Sequence, residues 1–142
     1  MKLTKHTDYA LRILMYTALL PEGRLLSIRE VTDTFDISRN HVMKIVHKLG
    51  HEGYLTTLRG KGGGFTLGKP PEAINLGELV RCMETTMKVV ECEQPVCRMS
   101  PGCELKGVLA EAVAAFMDVL NRYSLADLVG NRNELIRLLA IA

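Results

Sequence analysis

Apolar residues recur at helical spacing from the start of the chain. Tyr9, Ile13, Leu14, Thr17 and Leu20 form a stripe near the 3.6-residue period and predict a first helix over 8–20. Pro21-Glu22-Gly23 stops it. Ser27-Ile28-Arg29-Glu30 has the pattern of a capping box, and Ile28, Val31 and Phe35 then share one face of a short second helix. A tight turn at Phe35-Asp36-Ile37-Ser38 follows. Ser38 is suited to cap a third helix whose buried face is Val42, Ile45, Val46 and Leu49, with Gly50 placed to end it.

The period then changes. Tyr54-Leu55-Thr56-Thr57-Leu58 and Phe65-Thr66-Leu67 read as two short strands around the glycine-rich turn Arg59-Gly60-Lys61-Gly62-Gly63-Gly64. Helix, turn, helix and then a hairpin is the order of a winged helix. Pro70-Pro71 marks a boundary. Ile74, Leu76, Leu79, Val80 and Met83 predict a helix ending near Glu84. From Leu105 a wide stripe runs through Val108, Leu109, Ala112, Val113, Phe116, Val119, Leu120 and Tyr123. So broad a stripe on one helix must be buried against something, and a homodimer is the natural solution. Ser124-Leu125-Ala126-Asp127 starts a last short helix, and 133–141 can form a final apolar turn or two. The expected fold is mainly α with a small β-wing. It divides into a winged helix-turn-helix domain (1–70) and a part with a cysteine loop (about 91–104) and dimerisation helices (71–142).

Composition sharpens this picture. The 142 residues are 47% hydrophobic and carry a formal net charge of +2, which excludes a disordered chain. The charge is unevenly distributed: residues 1–69 hold 11 Lys/Arg against 6 Asp/Glu, and residues 70–142 hold 7 against 10. All four histidines lie in the basic part and all four cysteines in the acidic part. A basic part of this kind points to nucleic acid. No apolar run approaches the ~20 residues that span a bilayer. The N-terminus lacks the apolar core of a secretory signal, so a cytoplasmic protein with reduced thiols is expected.

The third helix would present Arg39, Asn40, Met43, Lys44, His47 and Lys48 to a DNA groove. Arg39, Asn40 and Met43, near its N-terminus, suit base edges; Lys44 and Lys48 suit phosphates. Ser38 and His41 complete the helix set. In the wing, Arg59 and Lys61 can enter a minor groove while Gly60, Gly62 and Gly63 let the backbone come close. The glycine-rich turn lacks the Gly-x-x-x-x-Gly-Lys-Ser/Thr spacing of a nucleotide-binding loop.

Cys92, Cys97 and Cys103 stand at C-x4-C-x5-C in a polar loop with two prolines and a glycine. Structural zinc prefers four ligands, often in C-x2-C pairs, and neither such a pair nor a histidine is present in the loop. Three thiolates plus a distant fourth donor suit an iron–sulfur cluster better. Three unliganded thiols are the alternative. Cys82 lies in an apolar helical pattern and reads as a core thiol.

Met1-Lys2-Leu3-Thr4-Lys5-His6-Thr7-Asp8-Tyr9-Ala10-Leu11-Arg12, Ser38 to Ile45, the Arg59–Gly64 wing and the cysteine loop together resemble the Rrf2 type of winged-helix iron–sulfur regulators over essentially the whole chain. Leu19-Leu20-Pro21-Glu22-Gly23-Arg24 and Tyr123-Ser124-Leu125-Ala126-Asp127-Leu128 resemble its NsrR branch, the nitric-oxide-sensing repressors. The resemblance implies a homodimer that binds an AT-rich inverted repeat in promoter DNA while its cluster is intact. It implies release when nitric oxide nitrosylates that cluster, which derepresses detoxification genes. It further implies a 4Fe–4S cluster held by Cys92, Cys97 and Cys103 with Asp8 of the partner subunit. Otherwise Asp8 is a helix N-cap. The IscR branch uses a histidine shortly after the third cysteine for a 2Fe–2S cluster, and Glu104-Leu105-Lys106-Gly107 stand there instead. A cluster-status or redox regulator of that kind is the alternative. An iron–sulfur electron carrier or enzyme would leave the basic helix and wing without a role, so no enzymatic activity is expected.

Overall fold

The computed structural model describes residues 1–141. Helix α1 (Lys5–Leu19) starts earlier than its apolar stripe, because the Thr4 side chain caps it by accepting from the Thr7 N–H. Asp8 is therefore not the N-cap; it lies within the first turn, where a carboxylate favours the positive end of the helix dipole. Helix α2 (Ile28–Phe35) has the expected reciprocal capping box between Ser27 and Glu30. Asp36 takes a left-handed conformation at φ 53°, and Ser38 caps helix α3 (Arg39–His51).

Helix α3 does not end at Gly50. It runs a residue further, and Gly53 makes the left-handed turn at φ +83°. The Tyr54 N–H closes this end on the Leu49 carbonyl at 2.9 Å, which satisfies a carbonyl the helix cannot. Gly50 is an ordinary helical position lying over Thr57.

Strands β1 (Leu55–Leu58) and β2 (Gly64–Leu67) pair antiparallel, with Leu55 opposite Leu67 and Leu58 opposite Gly64. Leu26 adds a third rung: its N–H and carbonyl each bond Phe65 at 2.9 Å. Phe65 is buried beneath this junction, so the hairpin is anchored at its root.

After a short 3-10 turn at Pro71–Ala73 come helices α4 (Leu76–Met83), α5 (Leu105–Asn121), α6 (Leu125–Leu128) and α7 (Arg132–Leu138). One core runs through Ala10, Ile13, Leu14, Val31, Val42, Ile45, Leu49 and Phe65 and continues into Ile74, Leu79, Met83 and Leu125. The core thus crosses the boundary expected near residue 70: the stripes of α4 and α6 complete the burial of α1. Cys82 is half-buried against this core rather than enclosed by it. Burial, with Glu52 adding to it, pushes the Cys82 thiol up and makes it a poor thiolate.

Helix α5 behaves differently. Of its residues only Met117, which lay outside the expected stripe, is buried. Leu105, Val108, Val119 and Tyr123 stay exposed within the single chain. Among the described residues no helix is long and apolar enough to cross a membrane.

Two long-range contacts hold α1 at its ends. Arg132 at the start of α7 donates to the carbonyls of Ala18 (2.9 Å) and Leu19 (2.7 Å), where α1 has no basic residue of its own. At the other end, Glu84 accepts from Thr4. Helices α4 and α5 are fitted closely at Gly77, where a Cβ would overlap the Asn121 side chain and come within 3.2 Å of its backbone nitrogen. Gly77→Ala is expected to cost about 1–3 kcal/mol, read as a lower melting temperature, because overpacking strains a filled contact. Asn121→Ala in the same chain should recover much of the loss. An unchanged melting temperature in the single variant would show that the joint has room to spare.

Candidate nucleic-acid interface and cysteine loop

The face of α3 opposite Val42, Ile45, Val46 and Leu49 carries Arg39, Asn40, Met43, Lys44 and His47, all exposed. Lys48 is half-buried at the edge of that face. Between α3 and the hairpin lies a cleft of about 680 Å³ lined by Arg39, Met43, His47, Arg59, Gly60 and Gly63. The structure therefore brings helix and wing residues to one surface. Ser38 stands at its rim as the exposed cap of α3. Ser27, Ile28, Thr57 and Leu58 also line the cleft. Leu58 is 56% exposed, unusual for a leucine on a strand. Strand alternation accounts for it: with Leu55 buried, Leu58 three positions on lies on the opposite face.

The wing tip holds its form through glycine. Gly60 and Gly62 have φ +98° and +75°, and Lys61 between them is exposed. A Cβ at Gly63 would lie 2.8 Å from the Gly60 carbonyl oxygen, so this tight turn excludes any side chain there.

His41 departs from expectation. It is half-buried and faces α1, its ring edge-on to Tyr9 at 5.1 Å and stacked on His6 at 6.0 Å. Its helical position lies between the exposed and buried faces, and the aromatic residues of α1 draw it inward. Burial lowers the His6 pKa, Lys48 and His41 lower it further, and Glu84 opposes them. The imidazole of His6 is accordingly kept neutral around pH 7.

The cysteine loop leaves α4 at Glu84 and returns at α5. Its backbone is turned on itself: Cys97 N–H donates to the Cys92 carbonyl at 3.1 Å, Ser100 N–H to the Cys97 carbonyl at 3.1 Å, and Gly102 N–H to Met99 at 3.0 Å. The Glu91 carboxylate accepts from the N–H groups of Glu93 and Gln94, and Lys88 pairs with Glu93 at 3.0 Å. Cys92, Cys97 and Cys103 are free thiols, all half-buried. In number and kind they fit a thiolate-ligated iron–sulfur cluster. Among the described residues, however, no three of His, Cys, Asp or Glu converge at metal-binding distance. Within one chain the three thiols and Asp8 are thus not gathered. Asp8 is instead paired with Arg12, Nε to Oδ1 at 2.8 Å and Nη2 to Oδ2 at 3.0 Å, with its side chain 43% exposed.

The family profile described as an iron-dependent transcriptional regulator, Rrf2, matches residues 3–131. The chain belongs to the Rrf2 family. Its fold is similar to that of CymR, the global cysteine regulator of B. subtilis, at 25% identity and a TM-score of 0.74, covering 92% of this chain and 98% of that one. It is also similar to T. potens IscR at 19% identity and a TM-score of 0.75, covering 95% and 90%. The oxidized form of Staphylococcus aureus CymR matches at 22% identity with a TM-score of 0.75, covering 92% and 97%. Rrf2 members are transcription regulators rather than enzymes; they bind DNA and are typically dimeric. The winged helix-turn-helix fold and its antiparallel wing are those of the family.

The geometry separates two kinds of residue. Arg59→Ala and Lys61→Ala should each reduce the slope of log affinity against log salt by roughly one, as expected for loss of a phosphate contact. His41→Ala should instead lower the melting temperature, by about 1 kcal/mol of aromatic contact, and cost less operator affinity than Arg59→Ala. A His41→Ala protein of wild-type stability with strongly reduced affinity would put His41 on the DNA rather than on α1.

Proposed function

We propose that the chain is a nitric-oxide-responsive iron–sulfur repressor that binds promoter DNA as a homodimer. The observation that carries this reading is the loop of three free thiols, Cys92, Cys97 and Cys103, joined directly to α4, which packs on α1 of the DNA-reading half. The exposed apolar stripe of α5 supports the homodimer. Ser38, Arg39, Asn40, Met43, Lys44, His47 and Lys48 of α3, with Arg59, Gly60, Lys61, Gly62 and Gly63 of the wing, form the DNA-contacting set. An AT-rich inverted repeat suits two such surfaces related by a two-fold axis.

Cys92, Cys97 and Cys103 would hold a 4Fe–4S cluster through their thiolates, with the half-exposed carboxylate of Asp8, paired with Arg12 in the single chain, as fourth donor across the dimer. When bound, the cluster supplies iron that reacts with nitric oxide. The chain's own part is mechanical. A carboxylate is a harder donor than a thiolate, so the Asp8 side is the weaker point of attachment. Asp8 belongs to α1 and the cysteines to the loop after α4, so joining them ties the position of α1 to the state of the loop. Binding at such a site also orders the loop that supplies the ligands. Glu104-Leu105-Lys106-Gly107 after Cys103 offers no histidine, which favours this ligand set over a three-cysteine, one-histidine 2Fe–2S site.

A second reading is a regulator responding to iron, cluster status or redox state, as the iron-dependent description of the family favours. Operator binding by cluster-loaded protein, before and after stoichiometric nitric oxide, separates the two. Loss of affinity supports the first reading; retained affinity supports the second. Cys97→Ser should be colourless after anaerobic reconstitution with iron and sulfide. Asp8→Ala should keep a cluster with altered absorption or greater lability, and an unchanged spectrum and nitric oxide reactivity would remove Asp8 from the ligand set.

A further inference from the structure

Glu84 occupies a place that neither the family nor the proposed ligand set explains. It is the C-cap of α4, the first residue beyond the helix on the way to the cysteine loop, with extended backbone at φ −77° and ψ 135°. Its side chain turns away from the loop to the start of α1, eighty residues earlier in sequence. There Oε1 accepts from the Thr4 N–H at 2.7 Å and from the Thr4 hydroxyl at 3.1 Å. Partial burial pushes the Glu84 carboxyl up, but hydrogen bonds from the Thr7 hydroxyl and from Thr4 outweigh it and hold it below the usual carboxylate range.

The arrangement is economical. Thr4 caps α1 with its own side-chain oxygen while its N–H, which lies before the helix, goes to Glu84. Hydrogen bonds to an ionised carboxylate are about twice as strong as neutral ones. A negative charge at a helix N-terminus is also favoured by the dipole. The carboxylate thus binds the first turn of α1, which carries Asp8, to the residue from which the cysteine loop departs. Opposite the clamp, α1 is held separately by Arg132 on the carbonyls of Ala18 and Leu19. One end of α1 therefore answers to the loop and the other to α7.

We propose that Glu84 is a positioning residue that transmits the state of the cysteine loop to the DNA-reading half by holding the first turn of α1. The transmission rests on the cluster-gated reading above; the clamp itself does not. Movement of the loop at Glu84 pulls on Thr4 and Thr7, and α1 passes that displacement to α3 through the side chains packed between them, Tyr9 and His41 included.

The test uses the full chain as a dimer, with DNA selected in vitro by the wild-type protein. Operator affinity is measured for cluster-loaded and cluster-free forms of wild type, Glu84→Ala, Glu84→Gln and Arg132→Ala. The wild-type ratio of the two affinities is expected to fall at least about tenfold in Glu84→Ala with the cluster absorption unchanged. Glu84→Gln, which keeps a carbonyl acceptor, should recover part of the ratio and guards against misfolding of the alanine variant. Arg132→Ala should lower the melting temperature yet keep the ratio. In the cluster-free protein, amide exchange at Thr7 and Asp8 should be faster in Glu84→Ala than in wild type. A full ratio in Glu84→Ala, or an Arg132→Ala ratio that falls equally, overturns the coupling role; unchanged amide exchange overturns the clamp. A wild-type protein with equal affinity in both forms overturns the cluster-gated reading, and transmission with it, while the amide exchange still decides the clamp.

Discussion

Burial of helix α1 is the constraint on which the rest of the protein depends. Ala10, Ile13 and Leu14 have no solvent contact, and Thr17 satisfies its hydroxyl on the Ile13 carbonyl at 2.7 Å. Helices α3, α4, α6 and α7 and strand β2 all pack against this one helix. A buried aliphatic side chain contributes on the order of 1.5–3 kcal/mol, so no element on α1 can shift independently without opening the core. The recognition helix is one of these elements and the helix leading to the cysteine loop is another. Helix α3 and the helix that leads to the cysteine loop thus meet at a shared support.

The unequal charge distribution acquires a physical meaning from that arrangement. Five of the eleven basic residues of the first part, Arg39, Lys44, Lys48, Arg59 and Lys61, lie on α3 and the wing, and Arg39 and Arg59 line the cleft between them. Electrostatic attraction of this kind is strong, salt-dependent and poor in sequence information. In the proposed reading, discrimination would be left to groups such as Met43 and Leu58 at the cleft and Asn40 on the exposed face of α3.

Helix α5 shows the opposite economy. Its single buried residue, Met117, serves the chain's own fold, while Leu105, Val108 and Val119, with Tyr123 just past its end, remain open. A helix so apolar is costly to leave in water, and the typical dimer of Rrf2 regulators offers the second surface.

Much of this was legible in the sequence because it rests on short-range rules. The stripes of α1, α3 and α4, the Ser27 and Ser38 caps, the wing glycines and the hairpin each depend on residues within a few positions of one another. Where a short-range rule had two equally good sites, it picked wrongly. Gly50 and Gly53 both follow the α3 stripe, and only packing over β1 left the turn to Gly53. The alternative role of Asp8 as an N-cap also falls away, because the hydroxyl at Thr4 took the Thr7 amide. Other features had no local signal at all. The partner of Thr4 is Glu84, the partner of the α1 carbonyls is Arg132, and His41 is turned toward Tyr9 and His6. Periodicity shows that a helix has an apolar side, but it does not say which distant residue will lie against it. The sequence by itself determined the elements, their order and the chemistry available to them. The tertiary structure decided which end of α1 answers to the loop and which histidine is withdrawn from the surface, because those outcomes depend on contacts between residues that only folding brings together.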